Sequence, residues 1–346
     1  EAEAVGDVRD VWGPHRGHVR VVTPAAVVLA QEVTLGGNEF TEMLVEGLSL
    51  GTIYALLAVG FVIIFKATQV INFAHGAIAA MGGFLVASMA TILDIPGRWL
   101  PDAPAWVSWV GSVVIALVAM ALIGMMLERV FLRPMVGEEL FAIAIVTLGL
   151  DIVIRNVVND FIGQFPRPMG DPFALAIFDL GWVRIAHTEA LQIAVALATV
   201  GAIALFFRSR MGIAMRATAF DQEAARAQGI SVGKVFSISW AIGAVLATVA
   251  AIFISMFPRR PAGVDQQTAF FAFKAFPAII IGGLDSIIGG IVGGLIVGLA
   301  ESAASTYLAF EFLGTGFAGI VPYLLMLLVL LVRPYGLFGT EEIRRV

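Results

Sequence analysis

Apolar positions in this chain come in long unbroken runs, not at the three-to-four-residue spacing of a helix half-buried in a soluble core. Gly47–Phe65, Gly76–Leu93, Ala103–Leu127, Ala190–Phe207, Val235–Pro258 and Phe312–Val332 contain no acidic or basic side chain. A helix needs about 20 apolar residues to cross roughly 30 Å of hydrocarbon. With their flanks, each run therefore predicts a membrane helix. A seventh run, about 140–158, is interrupted only by Asp151 and Arg155. The stretch 272–308 is apolar but broken by Gly282-Gly283-Leu284-Asp285-Ser286, which divides it into a short segment (272–283) and a full one (286–308). The expected fold is an all-α polytopic membrane protein, a bundle of eight to ten helices with one broken or re-entrant segment. Nine is the central count.

Charged positions then orient the bundle. With nine spans, Lys66, Arg129, Arg133, Arg208, Arg210, Arg216, Arg226, Lys234, Arg333, Arg344 and Arg345 fall on the side of the C-terminus. The other side holds Arg98, Arg167, Arg184, Arg259 and Arg260. Basic residues concentrate on the cytoplasmic side, so the C-terminus is expected in the cytoplasm and the N-terminus outside. The expected layout is an extracytoplasmic extension at 1–42, a membrane domain at 43–334 and a cytoplasmic tail at 335–346. Within 1–42 the apolar stretch Val27–Ala30 is far too short to span. The chain begins at Glu1 and not at methionine, so a preceding segment is expected, either removed or left out of this sequence.

Composition agrees and excludes other classes. Apolar residues make up 59% and charged residues 14%, against about 25% charged in soluble domains. The mean hydropathy is +0.93. A net charge of −5 gives no reason to expect a nucleic-acid partner. The absence of cysteine removes disulfides, thiolate metal sites and a cysteine nucleophile. Small residues recur on two helix faces, Gly290, Gly294 and Gly298 on one and Gly47, Gly51 and Ala55 on the other. In lipid such faces let backbones approach closely, either as static packing or as a mobile interface.

Nothing in the sequence argues for catalysis. Gly229-Ile-Ser-Val-Gly233-Lys234-Val235 has too short a glycine spacing for a phosphate loop, and valine where a magnesium-binding hydroxyl is needed. Four scattered histidines give no metal centre. The informative polar segment is Arg208–Lys234, read as a loop with a short helix over Asp221–Gln228, capped by Asp221 and stopped by Gly229. Between two spans, such a helix suits either docking to a soluble partner or an interfacial position held by arginines.

Glu223-Ala224-Ala225 followed by Gly229 resembles the EAA–glycine loop of ABC importer permeases. Further stretches resemble the LivH-type branched-chain amino acid permeases. They are Gly51-Thr52-Ile53-Tyr54-Ala55-Leu56, Asn72-Phe73-Ala74-His75-Gly76, Glu128-Arg129-Val130 with Arg133-Pro134, Lys274-Ala275-Phe276 with Gly282-Gly283 and Gly289-Gly290, and Arg333-Pro334-Tyr335-Gly336-Leu337-Phe338-Gly339. The resemblance runs in order over about 42–346 and departs at Pro277, where a small residue is expected, and at Asp285, where glycine is usual. It implies a permease in a bacterial inner membrane, for branched-chain amino acids or related small polar solutes. It also implies partners: ABC ATPase subunits that bind the ATP, a second permease subunit and an extracytoplasmic binding protein. No cofactor is expected in this chain itself. Arg216, Asp221, Glu223, Ala224 and Gly229 are then the expected ATPase-coupling residues. An ion-coupled secondary transporter is the alternative.

Ionisable groups inside spans are costly, which makes each a functional candidate. Asp151 and Arg155, at i and i+4, are expected to pair on their own helix. His75 either bonds irregular backbone or lines the path. Lys274 either snorkels to the headgroups or faces an outward cavity. Glu301 is expected to face the bundle interior as the pathway acid. Tyr54, Asn72, His75, Lys274, Gly282, Gly283 and Glu301 are the expected path residues, with a helix break at Gly282 and Gly283.

Overall fold

A computed structural model describes residues 39–340, apart from 164, 174, 182, 260, 261 and 309–315 and the side chain of Leu140. Residues 1–38 of the expected extension, 341–346 of the expected tail and the first part of the Phe312–Val332 run lie outside the described residues.

Each apolar run appears as a helix because lipid leaves the backbone no partners except its own. The long helices are α1 (Glu39–Thr68), α2 (His75–Ala87), α3 (Ala105–Leu127), α4 (Leu140–Ile162) and α5 (His187–Arg208). After two short helices, α6 (Arg210–Phe220) and α7 (Gln222–Ala227), come α8 (Val232–Ile254), α9 (Thr268–Phe271), α10 (Ala275–Gly282), α11 (Ile287–Tyr307) and α12 (Val321–Val332). The helical path of α2 continues as far as Trp99 and that of α3 as far as Met135. Seven helices among the described residues are long and apolar enough to cross a membrane, and Thr268–Gly282 and Phe317–Val332 are shorter apolar helices. The full crossing expected at Phe312–Val332 thus appears as a 3-10 turn, Phe317–Gly319, followed by α12 with Pro322 in its first turn. The only named sheet among the described residues is the hairpin β1 (Ile177–Asp179) and β2 (Arg184–Ala186).

Helix α1 starts at Glu39, ahead of the expected domain edge at residue 43. It is the centre of the bundle, with 83% of its most apolar window buried, against 67% for α8 and 11% for α5. A helix apolar on all sides can be buried among others or can face lipid. Small residues decide which. The two small-residue faces meet as one seam between α1 and α11. A Cβ on Gly298 would lie 2.2 Å from the Gly51 nitrogen, and one on Gly294 2.4 Å from that of Ala55.

Two ends of the bundle follow from the connections. At the basic end, Arg133 donates to the Gly233 carbonyl at 3.1 Å and Lys66 to the Asp285 carbonyl at 3.1 Å. At the opposite end, Arg167 and Val264 pair through their backbones at 2.8 Å. The Arg208–Lys234 segment, expected as a loop with one short helix, carries two. Ser209 caps α6, accepting from the Gly212 N–H at 3.3 Å, and burial of Gly212, Met215 and Thr218 holds it to the bundle.

The break between α10 and α11 falls where the glycines predict it. Gly283 has φ +105°, a conformation that disfavours side chains. Residues 335–340, at the start of the expected cytoplasmic tail, lie across this break. Leu337 N–H donates to Ile281 O at 2.8 Å and Phe338 N–H to Gly282 O at 3.0 Å, satisfying carbonyls that the end of α10 leaves open. Thr340 closes onto Asp285 through its N–H at 3.3 Å and through its hydroxyl.

Candidate functional site

Three of the expected path residues come together. Tyr54 projects from the middle of α1, Glu301 from the last third of α11, and Lys274 from the 3-10 turn Ala272–Lys274 between α9 and α10. One Glu301 carboxylate oxygen accepts from the Tyr54 hydroxyl at 2.5 Å; the other accepts from Lys274 Nζ at 2.8 Å. Tyr54 is fully buried, whereas the Lys274 side chain keeps 37% of its surface exposed. Phe271 joins them, stacking on Tyr54 with ring centroids 5.3 Å apart and lying 5.7 Å from Lys274 Nζ. A carboxylate at this depth persists because two donors meet its two oxygens and one of them is a cation. Lys274 therefore does not snorkel to a membrane surface; it turns onto Glu301.

A second polar cluster lies further along α1 toward the end opposite the basic one. Arg259 spreads its guanidinium between Gln192 Oε1 at 3.0 Å and Ser49 Oγ at 2.6 Å. Gln192 Nε2 donates to Thr52 Oγ1 at 2.7 Å and to the Ser49 carbonyl. Burial pulls the Arg259 pKa below the ordinary arginine value, and the charges of Glu189 and Glu46 act against that pull. Sequence reasoning did not single out Arg259, Gln192 or Ser49. The available signal was a lone polar residue inside an apolar run, which holds for Ser49 and Gln192.

The remaining expected residues stand apart from this trio. His75 Nε2 contacts the Leu57 carbonyl at 3.2 Å, bonding backbone beside the irregular segment before α2. Asn72 Oδ1 accepts from Ala74 N–H at 3.1 Å within that segment. Asp151 and Arg155 pair at 3.0 Å on α4. Gly282 and Gly283 sit at the break beside the chain end. At the basic end, Asp221 Oδ1 accepts from Glu223 N–H at 2.8 Å and Ala224 N–H at 3.0 Å, capping α7. Gly229, at φ +82°, ends it, and Ala225 alone of its residues is buried. Glu223 and Ala224 face outward, and the neighbouring Phe220 is 94% exposed. Arg216 is occupied on the Phe207 carbonyl at 2.5 Å, closing the end of α5. Among the described residues, no three histidine, aspartate or glutamate side chains are grouped to hold a metal ion.

This arrangement of a discontinuous segment, a capped peripheral helix and a glycine seam occurs within residues 43–330, which match the family described as branched-chain amino acid transport system / permease component. The chain belongs to this family. It is 32% identical over 322 residues to the high-affinity branched-chain amino acid transport system permease protein LivH of Escherichia coli (strain K12), covering 89% of this chain and 98% of that protein. BraD of Pseudomonas aeruginosa is 30% identical over 313 residues with the same coverage. A probable LivH of Methanocaldococcus jannaschii is 27% identical over 309 residues, covering 87% of this chain and 93% of that protein.

The two departures from the LivH-type pattern have physical accounts in this family member. Pro277 stands in the first turn of α10, where a missing N–H costs no helical hydrogen bond. Asp285 supplies the carboxylate that receives Thr340.

Proposed function

We propose that this chain is the membrane-spanning permease subunit of an ABC importer in a bacterial cytoplasmic membrane. It forms the path for branched-chain amino acids or related small polar solutes and carries out no chemistry of its own. Its partners are ATPase subunits that bind and hydrolyse ATP, a second permease subunit and an extracytoplasmic binding protein. The family match over residues 43–330 carries this reading.

The geometry supports a place for coupling. Helix α7 presents Glu223 and Ala224 outward beside the exposed Phe220, while Ala225 holds it to the bundle. An exposed aromatic next to a charged, capped helix suits insertion into a groove on a soluble partner, as amphipathic helices do. The concentration of basic residues at this end supports a cytoplasmic position for it and for the C-terminus, with the N-terminus outside. ATP-driven closure of the ATPases would push on α7 and, through α6 and α8, rock the bundle between outward- and inward-facing states.

The test is co-purification with candidate ATPases in lipid and measurement of ATP hydrolysis stimulated by the binding protein. Wild-type protein is expected to recruit an ATPase and show stimulated hydrolysis. Gly229→Asp and Glu223→Lys are expected to abolish the stimulation without unfolding the bundle. Uptake driven by an ion gradient with no ATPase bound would overturn this reading in favour of secondary transport.

A further inference from the structure

A free amino acid at neutral pH carries one positive and one negative charge. Taking either into hydrocarbon unpaired is costly, so a path for such a solute must meet both charges together. Away from the basic end, where Glu128 and Arg133 also pair, two acid–base pairs on the apolar segments stand out among the described residues. Asp151 and Arg155 share one helix turn on α4. Lys274 and Glu301 instead join two separate elements, one of them the turn in a broken segment. The first pair cannot be parted by moving elements; the second can.

Three features favour the second pair as a receiver. Its lysine is only partly covered, with 37% of the side chain exposed, so another ion can approach. Tyr54 holds the far oxygen of Glu301, so the carboxylate stays in place when the lysine moves away. Phe271, stacked on Tyr54, also lines a narrow, mostly apolar recess together with Leu57, Ala79, Ala250, Ile254 and the polar Thr268. Polar ends and an apolar wall thus lie side by side. In the present state the recess is closed down, so a ligand side chain enters only as the 268–274 turn shifts.

We propose that Lys274 and Glu301 are an exchangeable ion pair that receives a zwitterionic α-amino acid. The incoming carboxylate takes Lys274 Nζ and the incoming ammonium takes the Glu301 oxygen that Lys274 leaves. The site keeps its net charge throughout, and no charge is left unpaired. A branched aliphatic side chain then points along Phe271 toward Leu57 and Ile254. This assignment rests on the permease reading above.

The experiment uses the complete importer, with its ATPases, second permease and binding protein, in proteoliposomes. ATP-driven leucine uptake by the wild-type assembly must be present; its absence defeats the permease reading, not this assignment alone. Thermal shift of the wild-type assembly without the binding protein then compares leucine with leucinamide, which lacks the carboxylate, and 4-methylpentanoate, which lacks the amine. Leucine is expected to stabilise the assembly, with each half-analogue at least ~10-fold weaker, the equivalent of about 1.4 kcal/mol. Equal shifts from leucine and leucinamide, or no shift from leucine, overturn the assignment, and this arm needs no variant.

In the second arm, Glu301→Gln and the double variant Lys274→Gln/Glu301→Gln, which keeps a neutral polar contact, are expected to lose the leucine shift and most uptake. The swapped pair, Lys274→Glu/Glu301→Lys, separates recognition from support. A merely structural pair regains wild-type uptake on swapping. A pair that orients the substrate does not, because the reversed ligand turns its side chain away from the recess. Restored uptake in the swap, or wild-type uptake in Glu301→Gln, overturns the assignment.

Discussion

Glu301 is an acid set in an apolar helix, and its two partners contribute differently. Tyr54→Phe removes one donor while keeping the ring on Phe271, so the expected cost is about 0.5–2 kcal/mol, read as a lower unfolding temperature in detergent. The seam offers a sharper contrast. Gly298→Val would drive a side chain into the Gly51 backbone, 2.2 Å away at Cβ, and is expected to cost at least about 3 kcal/mol. Gly149→Ala, on an exposed face of α4 with nothing within 4 Å, is expected to be neutral or slightly stabilising by the same assay. Glu301 was legible in the sequence because a lone acid in an apolar run stands out. Lys274 was also singled out, but its pairing with Glu301 was not, because a lysine at the edge of a broken segment has two directions open to it. Only the turn Ala272–Lys274, which aims Lys274 at α11, decides between them.

Among elements, α7 is held by its ends more than by its face. Asp221→Ala removes the cap on two N–H groups and is expected to cost about 1 kcal/mol of local stability. That should appear as faster amide exchange over residues 222–229, with the global unfolding temperature unchanged. Cap and stop were both readable, since Asp221 and Gly229 are residue types with local geometric reasons. Helix α6 was not readable. Its buried positions, Gly212, Met215 and Thr218, include a glycine and a threonine, so burial leaves no apolar stripe in the sequence. Likewise, residues 335–340 follow the last apolar run with no periodicity of their own, and the open carbonyls at the end of α10 explain why they lie down.

Across the whole molecule, the bundle is organised around α1, and hydropathy alone could not rank the helices by depth. Residues 47–65 and 190–207 are both free of charge, yet α1 is central and α5 peripheral. Packing makes the difference, because small residues on α1 admit a neighbour's backbone. The Arg259 cluster ties α1 to α5 at the end opposite the basic one, through a fork that reaches Gln192 and Ser49 together. Arg259→Lys cannot span both acceptors and is expected to be about 1–3 kcal/mol less stable. Thermal unfolding in lipid nanodiscs checks this, with Arg259→Met as the comparison that removes the charge altogether.

The glycine seam also restricts how this protein can work. Helices whose backbones touch at Gly51–Gly298 and Ala55–Gly294 cannot rotate or slip past one another without collision. Tyr54 and Glu301 therefore travel as one rigid spine, with their separation fixed through any cycle of motion. Lys274 rides on the broken segment, whose far end is held by Leu337 and Phe338 and whose near end is the short helix α9 and a 3-10 turn. The exchange proposed for Lys274 then needs only a short, local movement: residues 268–274 lift from the α1–α11 spine, and that spine moves as one unit when the bundle rocks.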